Sequence, residues 1–133
     1  MSNTIKTVNE IVAKGCVKAV LRDDSVIEIN WDEKLEIIEV IHLMKMQEVV
    51  GELGGGKKMP LLFLPHGFLN VSKEGARYAT SDAGVKYTLA IAVLIDNLAK
   101  RLLLNFFLNF NKPKVPTKGF SKKEDSLNWL SKF

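Results

Sequence analysis

Hydrophobic and polar positions along the chain change period several times, and each change predicts a new element. Two β-rich runs, residues 16–21 and 26–31, flank a short polar stretch and predict an antiparallel hairpin. From Asp32 the period becomes three to four residues, which predicts a helix of about five turns with Asp32 as its N-cap and Gly54 to Gly56 at its end. The first 15 residues are weakly patterned and indicate no clear element.

The second half of the chain alternates buried strands with helices. Residues 59–64 and 87–95 are apolar without alternation, which predicts strands covered on both faces. Between them, Ser72 is the predicted N-cap of a helix that runs toward Thr80, and residues 81–84 predict a turn or a short helix. After residue 95 the pattern predicts an amphipathic helix, an edge strand at residues 115–120 that contains Pro116, and a last helix that begins at Ser121. Glu124 lies three residues after Ser121, so these two residues predict a capping box.

This order of elements predicts an α/β fold: an N-terminal hairpin, then alternating helices and strands around a mixed sheet of about five strands. The helices pack mainly on one face of that sheet or are split between both. A length of 133 residues, 47% of them hydrophobic, suits a single domain over residues 1–133. One cysteine excludes an internal disulfide, and the sequence shows neither a signal peptide nor an uncharged apolar run near 18 residues. We therefore expect a cytoplasmic protein without a transmembrane segment.

Basic residues are concentrated late in the chain. The 19 Lys and Arg exceed the 15 Asp and Glu, and five of the lysines lie between residues 112 and 123 without an intervening acid. Such a stretch can follow phosphates, but its aromatic neighbours Phe110 and Phe120 are too few for a stacking platform. We expect no nucleic-acid partner, and we interpret the lysines as solvent-exposed.

The residue inventory argues against an enzyme. Gly54 to Gly56 close a helix and lead into a strand, whereas a phosphate-binding loop follows a strand and opens a helix. Two histidines and one cysteine are too few for a transition-metal site. His66 follows a buried strand, where α/β folds place functional loops, and it is the better candidate of the two histidines. We expect no catalytic residue, no metal and no cofactor.

The helix after residue 96 has an unusually wide apolar surface, on which Leu102, Leu103, Phe106, Phe107 and Phe110 lie. A helix that is apolar nearly all round is buried on most sides. Either another layer of the same chain or a second subunit has to cover it. A homodimer through these five residues is one of the two arrangements that the pattern predicts.

Residues 120–130, Phe-Ser-Lys-Lys-Glu-Asp-Ser-Leu-Asn-Trp-Leu, resemble the F-x-x-x-E-E-A-L-x-W-L ending of bacterial proteins with a SpoIIAA-like fold. This fold is shared by STAS domains and resembles the lipid-binding Sec14 architecture. Further segments are similar to a small uncharacterised family of that fold found in Bacteroidetes: Ala76-Arg77 and residues 90–94, 105–107 and 111–117. The resemblance implies a sheet of four or five strands with helices stacked against it.

The resemblance also suggests where a switch would lie. In anti-anti-sigma members, a phosphorylatable serine preceded by aspartate opens the helix after the central strand. The corresponding residues 64–72 contain no Asp-Ser pair; Ser72 is the nearest equivalent and Ser81 the next. Ser72, Ser81 and His66 are therefore the candidate residues of a modification site or partner-binding loop.

Two functions from different classes remain open. The first is a non-enzymatic regulatory or protein-interaction module of the STAS-like type, which presents residues 65–72 and a helix face to a protein partner or to a second copy. The second is a carrier of a small apolar ligand or lipid, in which the helix that contains Met44 and Met46 separates from the Leu- and Phe-rich helix to leave an apolar pocket.

Overall fold

The computed structural model of the chain describes residues 7–65, 70–98, 100–101, 104–105, 108 and 112–133. Eight strands are present: β1 (Thr7–Ala13), β2 (Val17–Arg22), β3 (Ile27–Trp31), β4 (Ile37–Ile38), β5 (Met59–Phe63), β6 (Asn70–Val71), β7 (Thr88–Leu94) and β8 (Thr117–Phe120). Three helices have described bounds: α1 (Val40–Leu53), α2 (Lys73–Ala79) and α3 (Lys123–Leu130). A 3₁₀ turn covers Ala83–Val85, and Leu98, Lys100, Arg101, Leu104, Asn105 and Leu108 are helical.

The main sheet has six strands in the order β1-β2-β3-β5-β7-β8. Strands β1, β2 and β3 pair antiparallel, whereas β3, β5, β7 and β8 pair parallel. A separate two-stranded parallel sheet joins β4 to β6. The prediction of a mixed α/β sheet that begins with a hairpin is therefore confirmed, and the hairpin is β2–β3. Strand β1 adds a sixth strand in the weakly patterned N-terminal segment.

Helices cover the sheet on both faces. On the first face, Ala19, Ile29 and Leu61 are fully buried beneath Met46 and Val50 of α1. On the second face, Leu62, Ala90 and Ala92 are fully buried against Leu130 of α3. The neighbours Leu61 and Leu62 thus point to opposite cores, which explains why β5 shows no alternation in sequence.

Helix α1 begins later than its hydrophobic period indicates. Its N-cap is Glu39, and Asp32 instead closes a turn in which Asp32 Oδ1 accepts a hydrogen bond from the Lys34 N–H at 2.9 Å. Two β-branched residues, Ile37 and Ile38, then pair with β6, so they are extended rather than helical. The predicted helix start at Asp32 is wrong for this reason. The predicted end is confirmed, because Gly54 is the C-cap and Gly55 follows with a φ of +63°.

The start of the last helix also differs from its prediction. The N-cap of α3 is Lys122 rather than Ser121, and no side chain caps it, so the predicted capping box is absent. Lys123 occupies the first helical position, where its Nζ lies 3.0 Å from Glu28 Oε2 on β3. A tertiary ion pair therefore forms at the helix start in place of the local cap.

A buried arginine holds the β2–β3 hairpin together. The Arg22 side chain is 2% exposed, and its guanidinium donates to both carboxylate oxygens of Asp24 and to Glu28 Oε2 at 2.6 Å. Burial opposes the charged form of Arg22, but the hydrogen bonds and charges of Asp24 and Glu28 outweigh it and raise the pKa of Arg22. Burial likewise opposes ionisation of Asp24, yet the hydrogen bond and charge of Arg22 lower the pKa of Asp24.

Replacing Asp24 by Asn tests this cluster. Because the folded pKa of Asp24 lies below its unfolded value, its contribution is present above about pH 4 and is lost as the pH falls through the folded pKa. We expect Asp24→Asn to lower the free energy of unfolding by about 1–3 kcal/mol at neutral pH. The loss should shrink in acid, as measured by urea unfolding at several pH values. The control Asp23→Asn changes an exposed turn residue and should leave stability within about 0.5 kcal/mol; equal losses in both variants would contradict the role of the cluster.

Candidate functional site

Strands β3, β5, β7 and β8 run parallel and end at the same side of the sheet, which we call the carboxyl edge. In open α/β sheets, ligands and partners bind outside this edge. The segment that follows β5 begins there: the Leu64 N–H donates to the Ile29 carbonyl at 3.0 Å, and Pro65 comes next. Residues 66–69 lie outside the described part of the chain, so the predicted role of His66 stays a prediction.

Contacts fix both ends of that segment. On one side, the Lys100 ammonium donates to the Pro65 carbonyl at 3.3 Å and pairs with Asp96 Oδ1 at 2.9 Å. On the other side, the Asn70 N–H donates to the Glu36 carbonyl at 3.1 Å. The Lys100 side chain is only 12% exposed. It therefore bridges residue 65 to the turn that follows β7, and the chain enters and leaves residues 66–69 at defined positions.

Ser72 lies beside this edge as the N-cap of α2. Its hydroxyl oxygen accepts a hydrogen bond from the Gly75 N–H at 2.9 Å, and its own N–H donates to the Ile38 carbonyl at 2.9 Å. The predicted capping role of Ser72 is confirmed. Glu74 in the first turn suits the positive end of the helix dipole.

Ser81 lies at the other end of α2. Its hydroxyl donates to the Tyr78 carbonyl at 2.5 Å and accepts from the Gly84 N–H at 3.1 Å, where it supports the 3₁₀ turn. The structure therefore does not bring the two candidate serines together. The proposed switch positions are separated by the length of the helix.

Three exposed apolar side chains lie on β4 and in the first half of α1, and we call them the carboxyl-edge patch: Ile37 at 49% exposed, Ile41 at 70% and Met44 at 54%. Ile41 and Met44 are three residues apart on α1, so they share a face. Ile37 lies on β4, whose pairing with β6 leads directly to Ser72. The sequence placed Ile41 and Met44 on the predicted long helix and did not distinguish them from core residues, because the helix is apolar on more than one side.

His42 and Cys16, two side chains that could take part in catalysis, both contact backbone groups of the fold. His42 Nδ1 accepts a hydrogen bond from the Glu39 N–H at 2.9 Å at the start of α1. The Cys16 thiol lies 3.7 Å from the His42 carbonyl oxygen, and burial raises the pKa of that thiol despite the opposing charge of Lys45. A thiol with a raised pKa is a poor nucleophile at neutral pH. Within the described ranges, no group of three or more His, Cys, Asp or Glu side chains is placed to hold a metal ion.

The helix predicted as a dimer interface is described only in part. Leu102, Leu103, Phe106, Phe107 and Phe110 lie outside the described residues, so a homodimer through them stays a prediction. Leu104 belongs to the described residues and is half-buried; its Cδ2 would lie 2.8 Å from a Cβ placed on Gly119 of β8. At least this position of the helix therefore packs against the sheet.

The two methionines of the predicted Met-rich helix lie in different environments. Met46 is 3% exposed in the core, whereas the Met44 side chain is exposed to solvent.

A cavity of about 290 Å³ opens at the opposite, amino edge of the sheet. Its lining includes Val26, Met59, Pro60, Leu89, Leu130 and Phe133, with Lys58 among the polar residues around it. We call it the amino-edge groove.

Among the described residues, no helix has the length and apolarity that crossing a membrane requires.

Ser72→Ala tests the cap beside the patch. Removing the hydroxyl leaves the Gly75 N–H without its acceptor, so we expect the free energy of unfolding to fall by about 1 kcal/mol in urea titrations. Ser72→Asp should keep most of the stability, because aspartate is an equally good N-cap. Equal losses in the free energy of unfolding for Ser72→Ala and Ser72→Asp would show that the hydroxyl cap does not contribute as described.

Comparison with one solved structure shows the SpoIIAA-like fold. An uncharacterised protein of the DUF3478 family from Shewanella loihica PV-4, which has a SpoIIAA-like fold, is 13% identical; the match covers 98% of each chain with a TM-score of 0.50. A protein of unknown function from Arthrobacter sp. FB24 is 23% identical over 93% of this chain and 98% of that chain, with a TM-score of 0.32.

Sequence comparison adds the family. No curated protein sequence matches the chain. The family described as "Domain of unknown function (DUF7793)" matches residues 20–133, which include every element from β3 to α3. The chain belongs to the DUF7793 family.

Proposed function

We propose that this chain is a non-enzymatic, cytoplasmic protein-interaction module of the STAS-like type, and that a regulatory protein partner binds the carboxyl-edge patch. The observation that carries the proposal is the exposure of Ile37 on β4 and of Ile41 and Met44 on one face of α1. Exposed apolar side chains grouped at one site are typical of binding surfaces.

The position of the patch supports this function. It adjoins the edge of the sheet where α/β folds bind their ligands and partners. It also lies next to the helix start that carries Ser72, the position at which the SpoIIAA-like resemblance suggests a switch. A phosphate on Ser72 would meet the positive end of α2 and would change the charge beside the patch.

Charge around the patch indicates what kind of partner fits. Glu36 and Glu39 are both exposed and flank the two residues of β4. The segment 33–39 has three glutamates against one lysine. A partner surface with apolar side chains and a surplus of Lys or Arg would complement this arrangement.

The chemistry of the hydroxyls and the thiol supports a role without catalysis. Both candidate serines already use their hydroxyl oxygens in helix or turn hydrogen bonds, and the Cys16 thiol has a raised pKa. A nucleophile needs an adjacent base that activates it. The described partners of Ser72 and Ser81 are backbone groups.

Ile41→Lys tests the proposal. A charge in the middle of the patch would have to be desolvated on binding, so we expect at least about tenfold weaker affinity for the partner, with an unchanged free energy of unfolding. The partner is obtained by cross-linking in the source cells, and its dissociation constant is then measured by calorimetry with each purified variant.

The matched control is Phe133→Lys, which introduces the same charge at an exposed apolar residue near the amino edge. This variant should bind as the original protein does. Recovery of no stoichiometric partner, or equal binding by Ile41→Lys, would overturn the proposal.

The amino-edge groove favours a second candidate, the carrier of a small apolar ligand. Seven of the residues that line the groove are apolar, and two of them, Leu89 and Phe133, are 37% and 45% exposed. Its polar lining residues are Asp24, Ser25, Lys58 and Ser131. Native mass spectrometry of the untagged protein distinguishes the two functions. Extra mass that extracts into organic solvent, and that Leu89→Lys abolishes, would support the carrier; a protein that purifies without extra mass would contradict it.

A further inference from the structure

The outer edge of β1 carries backbone groups that are directed away from the sheet. Ala13 directs its carbonyl oxygen toward the β2 side, where it accepts from the Cys16 N–H at 2.9 Å. Backbone groups alternate in direction along an antiparallel strand, so Glu10 and Val12 direct theirs away from β2. There the Glu10 N–H donates to the neighbouring Asn9 Oδ1 at 2.8 Å, an exposed contact within the strand. In the described part of the chain, no strand pairs with this outer side.

Strand β1 has few of the features that normally prevent an edge strand from pairing with another chain, such as proline and uncompensated charges. Its seven residues include no proline, and Glu10 is its one charged residue. The Glu10 carboxylate pairs with Lys18 on β2 at 3.3 Å, so that charge is already compensated within the chain. Val12 is 63% exposed beside it. A register irregularity between Thr7 and Asn9 leaves residues 9–13 as the regular part of the edge.

The opposite edge of the sheet is better protected. Strand β8 has four residues, follows Pro116 and contains the exposed Lys118. Proline and lysine at an edge discourage further pairing. With one open edge and one blocked edge, head-to-tail addition of copies is disfavoured, whereas pairing of two β1 strands about a two-fold axis closes after two copies.

We propose that two copies of this chain pair antiparallel through β1, with the two-fold axis at Ile11, so that the sheets join into one of twelve strands. In this register Glu10 lies opposite the second copy's Val12. Both residues direct their backbone groups to the open edge. The two symmetric pairs form four hydrogen bonds between the chains when each Glu10 N–H exchanges its Asn9 Oδ1 acceptor for the Val12 carbonyl of the second copy.

Side chains favour this register over the neighbouring one. Ile11 is half-buried against the first-face core, and the axis places it opposite its own copy, which extends that core across the dimer. An axis at Glu10 would instead place two carboxylates directly opposite each other, which is unfavourable. The proposed pairing avoids that contact and leaves each Glu10–Lys18 ion pair intact.

The proposed interface contains none of the three residues of the carboxyl-edge patch. Dimerisation through β1 therefore does not depend on the proposed function. It would give the protein two patches, and a bivalent partner would gain affinity from engaging both.

Sedimentation equilibrium over a wide concentration range measures the oligomeric state of the original protein and of two variants. We expect a reversible monomer–dimer equilibrium. Val12→Lys introduces a charge on the pairing strand and should weaken the dimer at least about tenfold. Phe133→Lys introduces the same charge after α3, which contacts β5, β7 and β8, and should leave the dimer constant unchanged. A monomer at every concentration, or a dimer that Val12→Lys does not weaken, overturns the proposal.

Cysteine cross-linking tests the register itself in a Cys16→Ser background. Ile11 and its copy form a non-hydrogen-bonded pair with Cα atoms about 4.5 Å apart, which suits a disulfide. The two copies of Val12 would lie about 8 Å apart by strand spacing, too far for one. Ile11→Cys should therefore form a covalent dimer on mild oxidation, and Val12→Cys should not. Equal cross-linking of the two, or of neither, would contradict the proposed axis.

Discussion

Burial of the middle of strand β5 on both faces is the constraint on which the rest of the structure depends. Leu61 and Leu62 are adjacent, point to opposite faces and are both 0% exposed. A strand of this kind requires an apolar layer on each side. Helix α1 supplies the first layer and α3 the second, and the parallel pairing of β5 with β3 and β7 places the carboxyl ends of these strands at one edge.

Hydrogen bonds and ion pairs of buried polar side chains connect the helices and turns to the sheet around β5. The Gln47 amide on α1 donates to Thr88 Oγ1 at 2.9 Å and accepts from the Tyr87 N–H at 2.9 Å, which joins the helix to the start of β7. On the other face, Arg22 holds Asp24 and Glu28, and Glu28 also meets Lys123 of α3. Side chains of this kind specify position as well as stability, because a buried polar group left without a partner is costly.

The two proposed surfaces follow from what these layers leave uncovered. Helix α1 buries Leu43, Met46 and Val50 against the sheet, whereas Ile41 and Met44 on another face of the helix remain exposed. Helix α3 lies over β5, β7 and β8, so Val12 and Lys18 at the far side of the second face are also exposed. One surface lies at an end of the strands and the other along an edge, and the two proposed surfaces share no residue.

The sequence by itself determined the elements whose signals are local. Residues 59–63 form a strand buried on both faces because an unbroken apolar run allows little else, Ser72 caps α2, and the glycines after Leu53 end α1. Only the tertiary structure decided the rest. Asp32 and Ser121 have the right composition for N-caps, yet the β4–β6 pairing and the Lys123–Glu28 ion pair set the helix starts elsewhere. The strand β1 and the exposed patch depend on which neighbours cover a residue, and that is a property of contacts between segments distant in sequence.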